Sequence, residues 1–289
     1  METKKKKIGF ILNPYAGIGG KAGLKGSDDY KKIEKLLLEG CERTASKRAE
    51  SCMSKIADLT ASLVAGDKGL VGEKNFSILS APGDMGEALL EKLKIPCDVV
   101  LCPKAHTSSA EDTKLCAQIM KEQGVDLLVF CGGDGTARDI CEAVGTDVTV
   151  LGIPAGVKMY SACYACNPYQ AGEMLTGWLE GKEMSYEMRE VLDIEEKDLD
   201  SRNVSPQLYG FLEVLSDGKH LQKAKELDLG SGESATIIAR AAILRMEKDW
   251  VYIIGPGGTT WKIKELLCEN DEQEDTGKKN VHGTVRGVD

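Results

Sequence analysis

One turn between an apolar segment and a helix-compatible segment constrains this chain more than any other feature. The apolar segment covers residues 125–131, the turn reads Gly-Gly-Asp-Gly-Thr at 132–136, and the helical pattern covers 137–144. The pattern predicts a buried strand, a Gly-rich turn and a helix start, which together make a phosphate-binding arrangement. Glycines let the backbone approach a polyphosphate without a clashing Cβ atom. Thr136 is predicted to cap the helix.

Asp134, inside this turn, indicates phosphoryl transfer. A carboxylate beside a phosphate is repulsive unless Mg²⁺ intervenes or the carboxylate accepts a proton from an attacking hydroxyl. Asp134 is therefore the candidate catalytic residue. The alternative is a tight strand–helix turn in which the Asp only caps the helix. We favour phosphate binding because three glycines around one Asp exceed what a cap needs.

Charge and apolar runs limit the partners of the chain. Its 289 residues carry a formal net charge of −9, which argues against broad nucleic-acid binding and against docking on an anionic membrane. A small-molecule nucleotide held by local lysines and Mg²⁺ is compatible with that charge. The apolar residues 8–12, after a run of lysines, are too few for a secretory or membrane segment. Ten scattered cysteines indicate a reducing, cytoplasmic setting. Whether the chain forms a homo-oligomer stays open.

Apolar β-type segments alternate with helical patterns in the first half of the chain, which predicts βαβ units and an α/β fold with a parallel sheet covered on both faces. Strands are predicted at 7–13, 75–81, 97–102, 125–131 and 148–153, and helices at 30–39, 46–64, 85–93, 109–123 and 136–144. Ligands of such sheets bind at the carboxyl ends of the strands. Asn13, the loop around 80, Asp134 and Pro154 all fall at such ends.

The pattern changes after residue 153. We predict a Rossmann-like nucleotide- and phosphate-binding domain at 1–160, which contains the Gly-Asp turn, and a second, β-rich α/β domain at 161–289. For the second domain the sequence predicts helices at 168–180, 234–246 and from 260 to about 267, and β segments at 186–194, 208–215 and 250–254. Residues 269–280 are polar throughout and are predicted to form a loop.

Two further Gly-rich segments follow predicted strands. The loop from Asn13 to Lys25 matches neither the dinucleotide fingerprint nor the P-loop, so a plain flexible loop explains it as well as phosphate binding does. The segment Gly255–Thr260 is compatible with holding a phosphate or a substrate edge at a helix start, and a structural turn is the stronger alternative. Cys163 and Cys166 form a CxxC without a second ligand pair for zinc, which favours two packed cysteines. The acidic cluster at 193–200 is predicted to be a solvated face.

The chain resembles the ATP-NAD kinase superfamily, and within it the AcoX-like branch. The resemblance rests on ordered blocks at 8–25 (IGFILNPYAGIGGKAGLK), 80–87 (SAPGDMGE), 110–139 (ending VFCGGDGTARD), 150–162 (VLGIPAGVKMYSA) and 251–260 (VYIIGPGGTT). GGDGT alone is shared with diacylglycerol and sphingoid kinases and with phosphofructokinases. GGDGTARD followed by LGIPAGVKM is much narrower.

This resemblance implies a two-domain kinase that transfers a phosphoryl group from ATP to the 2′-hydroxyl of NAD and yields NADP. Asp134 would be the catalytic carboxylate. The residues implied to bind nucleotide or phosphate are Asn13, Gly19, Gly20, Lys25, Gly132, Gly133, Gly135, Thr136 and, by its helical position, Arg138. Residues on the substrate side would be Pro154, Ala155, Gly156 and Lys158, together with Gly257 and Thr259 of the later turn. Mg²⁺ would accompany ATP, so we expect no all-protein metal site.

Two departures from the family pattern keep alternatives open. NAD kinases carry an Asn-Glu pair after GGDGT that holds the substrate, and this sequence has no Asn-Glu dipeptide. Chains of the AcoX-like branch also continue beyond the point at which this sequence stops, so the second domain is expected to be incomplete at its C-terminus. The alternatives are a lipid, sphingoid or other small-molecule kinase, and a nucleotide-binding regulator without catalysis.

Overall fold

The computed structural model of the chain describes residues 5–18, 43–65, 76–101, 108–156, 159–193, 207–222, 232–247, 250–255 and 258–273. The helices among them are α1 (Thr44–Ala65), α2 (Glu87–Lys92), α3 (Ala110–Glu122), α4 (Asp134–Val144), α5 (Pro168–Leu179), α6 (Gly232–Ile243) and α7 (Gly258–Gln273), and a 3₁₀ turn covers Gly83–Met85. The predicted helix at 30–39 lies outside the described residues.

In the described part of the chain, seven strands form one mostly parallel sheet, which confirms the predicted α/β, Rossmann-like fold class. They are β1 (Lys6–Leu12), β2 (Phe76–Ser80), β3 (Asp98–Val99), β4 (Leu127–Gly132), β5 (Val150–Pro154), β6 (Ser185–Asp193) and β7 (Gln207–Ser216). Their spatial order is β3-β2-β1-β4-β5-β7-β6, and only the β6–β7 pair is antiparallel. The five strands predicted in the first half of the chain are β1 to β5.

Helices cover both faces of the sheet. Gly9 of β1 faces α3, because a Cβ there would lie 2.9 Å from the Met120 sulfur. Cys131 faces α1, since its thiol contacts Ala45 O, and it pairs in register with Leu12. Leu12 and Gly9 are three residues apart in one strand and so point to opposite faces. Burial on both faces explains why every residue of β4 is buried and why this segment reads as a continuous apolar run.

Local signals place the helix ends beside the sheet. Ser109 caps α3 in a reciprocal capping box with Asp112. Asn167 caps α5 through its side chain, and Pro168 takes the first helical position, where its missing N–H costs nothing.

The chain divides into two compact units, residues 1–225 and 226–289. This division differs from the predicted boundary at 160/161, because the hairpin β6–β7 extends the first sheet through the parallel pairing of Val150 with Val214. The boundary at 160/161 stays a prediction. Within the second unit, α6 packs against α7.

The strand predicted at 250–254 is wrong, since these residues form no regular structure and Val251 and Ile253 are more than nine-tenths exposed. An apolar run forms a strand only where a neighbouring strand pairs with it. No helix in the described ranges is long and apolar enough to cross a membrane.

Candidate functional site

Three neighbouring strands deliver the candidate residues to one edge of the sheet. β1, β4 and β5 are adjacent, and their carboxyl ends are Leu12, Gly132 and Pro154. The loops that follow are tied to β4 by main-chain hydrogen bonds: the Asn13 amide donates to Cys131 O and the Ala155 amide to Gly132 O, each at 2.9 Å. The sheet therefore fixes three predicted segments side by side.

The Asn13 side chain joins the β1 loop to the first turn of α4. Its Nδ2 donates to Thr136 Oγ1 at 2.9 Å, and its Oδ1 accepts the Tyr15 amide at 3.1 Å. The prediction that Thr136 caps α4 is wrong, because Gly133 occupies the N-cap and no side chain caps this end. Thr136 is the third helical residue, so its hydroxyl contacts Asn13 instead.

Asp134 is buried, and its carboxylate accepts hydrogen bonds from two backbone amides of the segment after β5. It is 9% exposed, and its Oδ2 and Oδ1 accept the amides of Tyr160 at 2.8 Å and Ser161 at 2.9 Å. The Ser161 hydroxyl in turn donates to Leu192 O at 2.8 Å. One carboxylate thus connects the Gly-Asp turn to residues 159–166, which we call the connector.

The connector also contacts the turn through Tyr164. The Tyr164 hydroxyl donates to Gly133 O at 2.5 Å. Burial raises the pKa of Tyr164 well above its ordinary value, and the nearby Cys163 thiol and Asp134 carboxylate add to this effect. The hydroxyl therefore stays protonated and remains a donor.

Arg48 and Gly17 hold the predicted substrate-side turn. Arg48 Nη1 on α1 donates to Pro154 O at 3.0 Å and to Gly156 O at 3.5 Å. Gly17 adopts a φ of +78°, and a Cβ there would lie 2.3 Å from Ala155 O. Only glycine permits both this backbone angle and this approach.

Arg138 pairs with Asp193 at the end of β6. Its Nη1 lies 3.1 Å from Asp193 Oδ2, and its guanidinium carbon lies 5.4 Å from the centre of the Tyr209 ring. Partial burial disfavours the guanidinium charge, but Asp193 and Tyr209 outweigh it and raise the pKa of Arg138. The prediction of a solvated acidic face is wrong for Asp193, whose side chain is only 18% exposed.

The first turn of α4 offers main-chain donors to an anion. An α-helix has no internal acceptors for the N–H groups of its first turn, which here includes Gly135 and Thr136. Among the described residues, no atom lies within 4 Å of a Cβ on Gly133, so the space beside this residue is open in this part of the chain. A Cβ on Gly132 would lie 2.4 Å from the Thr136 side chain. Gly132 thus serves packing, and Gly133 faces open space.

The remaining predicted residues divide into two groups. Gly19, Gly20, Lys25, Lys158 and Gly257 lie outside the described residues. Thr259 is the second residue of α7, in the second unit. Within the described ranges, no group of three His, Cys, Asp or Glu side chains could hold a metal ion. Cys163 is buried and Cys166 exposed, both as free thiols, so the prediction of two packed cysteines holds for Cys163 only.

Sequence reasoning missed Arg48, Tyr164, Asp193 and the two connector amides. Arg48 sits in an ordinary amphipathic helix, and a main-chain amide has no sequence signature. The only available signal was the PAGVKMYSA block itself, whose position directly after β5 places it beside the Gly-Asp turn.

Comparison with known protein families gives a match. The family described as ATP-NAD kinase N-terminal domain matches residues 8–183, more than half of the chain. The match includes the strand ends of β1, β4 and β5 and the whole connector. No curated protein sequence matches the chain.

Proposed function

Because the chain belongs to the ATP-NAD kinase family, we propose that it transfers the γ-phosphoryl group of ATP to the 2′-hydroxyl of NAD and so forms NADP. Membership of this family makes the chain a kinase, and hence a phosphotransferase. The acceptor, the catalytic role of Asp134 and membership of the AcoX-like branch are our proposals. The observation that carries the role of Asp134 is its buried carboxylate in a Gly-rich helix start, bordered by the loops after β1 and β5. The proposals of the acceptor and of the branch rest on the family match and on the ordered sequence blocks.

Asp134 is the proposed acceptor of the hydroxyl proton. Two backbone amides hold the carboxylate in one orientation, and each carboxylate oxygen has more than one lone-pair site, which leaves capacity for a hydroxyl donor. The acceptor oxygen bonds to the γ-phosphorus as the bond from that phosphorus to the β,γ-bridging oxygen breaks. ADP leaves, and the hydroxyl proton passes to Asp134.

The phosphates are proposed to lie against Gly133, Gly135 and Thr136. The open space beside Gly133 and the positive end of α4 support this placement. The turn at 154–156, held by Arg48, would border the acceptor. Mg²⁺, when bound with ATP, neutralises the β- and γ-phosphate charge.

The test is a coupled assay with Mg-ATP and NAD, in which an NADP-specific dehydrogenase reports NADP. Asp134→Asn is expected to lower kcat by about 10²–10⁴-fold. The matched control is Asp126→Asn, because Asp126 also accepts a backbone amide, that of Lys7 at 2.7 Å, but lies before β4 at the other edge of the sheet. The control should retain activity.

Two results would contradict the proposal. Full activity in Asp134→Asn would exclude Asp134 as the proton acceptor. No NADP from a folded chain that binds ATP would exclude NAD as the acceptor, and ATP consumption with nucleosides, sugars or diacylglycerol would then identify another kinase activity. Binding without consumption of ATP in all these reactions would favour a nucleotide-binding regulator.

A further inference from the structure

We infer that Tyr164 is a positioning residue for the phosphate-binding turn, because its hydroxyl fixes the peptide group between Gly133 and Asp134. The inference rests on the proposed function, since it assigns Tyr164 to the turn that would hold the ATP phosphates.

The hydrogen-bond pattern at Gly133 is the first argument. Gly133 O accepts the Tyr164 hydroxyl at 2.5 Å and the Ala137 amide at 3.0 Å. A peptide group is planar, so a fixed carbonyl also fixes the direction of the N–H on its other side. Gly133 has no side chain with which to cap α4. Tyr164 thus restrains a helix start that lacks a cap of its own.

The second argument is that the ring itself is held by the sheet. Tyr164 is fully buried, and its ring meets Phe130 of β4 edge-on with centroids 5.4 Å apart. A Cβ on Gly152 of β5 would lie 2.5 Å from the ring, so the ring occupies the space that the missing side chain leaves. Main-chain bonds on both sides of Tyr164, from Gly152 N to Cys163 O and from Ala165 N to Gly152 O, fix it along β5.

The contacts with β4 and β5 therefore fix the position of the hydroxyl, and its hydrogen bond to Gly133 O restrains the turn. Its removal should leave no buried polar group without a partner, because Gly133 O keeps the Ala137 amide. Loss of the hydroxyl should accordingly loosen the turn more than it destabilises the fold.

Calorimetry measures the Kd of the protein for a non-hydrolysable ATP analogue in the presence of Mg²⁺. Thermal unfolding of the same samples gives the midpoint temperature. Tyr164→Phe is expected to raise Kd about three- to tenfold, the effect of one hydrogen bond, with a midpoint near that of the wild type. The control is Thr60→Val, which removes another buried hydroxyl, one that donates to Ile56 O. Thr60 lies about 22 Å along α1 from Ala45, and its variant should leave Kd unchanged.

A second variant and a kinetic measurement separate positioning from stability. Gly152→Ala keeps the hydroxyl but displaces the ring and also the Cys163 carbonyl, which would lie 2.6 Å from the new Cβ. It should therefore raise Kd and lower the thermal midpoint as well, whereas Tyr164→Phe should raise Kd alone. In turnover, Tyr164→Phe should raise KM for ATP and leave KM for the acceptor unchanged, a split that a uniform loss of folded protein does not produce.

Each outcome decides between the two proposals. Equal Kd values for Tyr164→Phe and the wild type overturn the role of Tyr164 and leave the kinase proposal standing. Nucleotide binding without NADP formation overturns NAD as acceptor, and the Kd comparison still tests Tyr164. A folded wild type that binds no nucleotide overturns both.

Discussion

The Ser161 amide donates to Asp134 Oδ1 at 2.9 Å, across 27 positions of the chain. With the Tyr160 amide on the other oxygen, the bond makes the connector a part of the proposed catalytic site. A substitution at Asp134 therefore changes two properties together, the chemistry of the carboxylate and the attachment of the connector. Activity and stability must be measured on the same variants.

Gly133→Ala and Gly132→Ala should separate binding from folding. Gly133 has an extended backbone and open space beside it, so alanine should change the free energy of unfolding by less than about 1 kcal/mol. If phosphate approaches this residue, nucleotide affinity should fall about 10-fold. Gly132→Ala should instead cost about 1–3 kcal/mol, because its Cβ would overlap the Thr136 side chain. Calorimetry and urea denaturation measure both. Unchanged affinity in Gly133→Ala would remove this residue from the phosphate site.

Gly17→Ala should be among the most destabilising single changes near the site. Alanine would have to adopt a φ of +78° and would place Cβ 2.3 Å from Ala155 O. We expect a loss of at least about 2 kcal/mol, measured by denaturant unfolding. Gly124→Ala is the matched control, with a φ of +68° and no atom of the described residues within 4 Å of the new Cβ, and should cost about 1 kcal/mol. If both variants lose the same free energy of unfolding, the overlap with Ala155 O does not contribute to the destabilisation.

The pair Arg138 and Asp193 should contribute to stability as an ion pair. A double-mutant cycle with Arg138→Gln and Asp193→Asn should give a coupling energy of about 0.5–1 kcal/mol, reduced because Arg138 is partly exposed. Arg138→Gln should change the free energy of nucleotide binding less than it changes the free energy of unfolding. A large rise in Kd with little change in stability would support the phosphate contact that the sequence predicts.

Asp217 should make stability depend on pH in the acid range. Burial disfavours its charge, but hydrogen bonds from the Lys219 and His220 amides and from the His220 ring outweigh burial and lower the pKa of Asp217. A lowered pKa stabilises the fold above the unfolded pKa, near 3.9, and this contribution is lost as pH falls through the folded pKa. Asp217→Asn should therefore cost about 1 kcal/mol at pH 7, and the difference should shrink as pH falls below about 3.9 and through the lowered pKa. Thermal unfolding across that range measures it, and a difference that is constant with pH would contradict the assignment.

The central strands of the sheet could be predicted from sequence because burial on both faces leaves continuous apolar runs, of which β4 is the clearest. The membership of β6 and β7 in the same sheet could not, since one register pair, Val150 with Val214, joins β7 to β5. Such a pairing depends on how the chain returns to the sheet and not on local residue preference. The apolar run at 250–254 resembles a strand for the same local reasons that succeed elsewhere, and it has no strand partner among the described residues.

In the site too, local patterns could be predicted from sequence, and contacts between distant segments could not. Asp134 and the glycines beside it could be predicted because turn chemistry is local. Arg138 is predicted to bind nucleotide or phosphate, and no local pattern indicates that Asp193, 55 positions away, pairs with it. Tyr164 could not be predicted, because its place depends on a space left by Gly152 on another segment.

Two donors to Asp134, the amides of Tyr160 and Ser161, belong to the main chain, and this affects how the site responds to systematic mutation. Replacement of Tyr160 by almost any residue keeps its N–H, so an alanine scan would record this position as tolerant. Proline alone removes the donor. The connector can therefore change its side chain at this position and still hold the carboxylate, so tolerance to alanine at 160 is no measure of what the backbone there contributes.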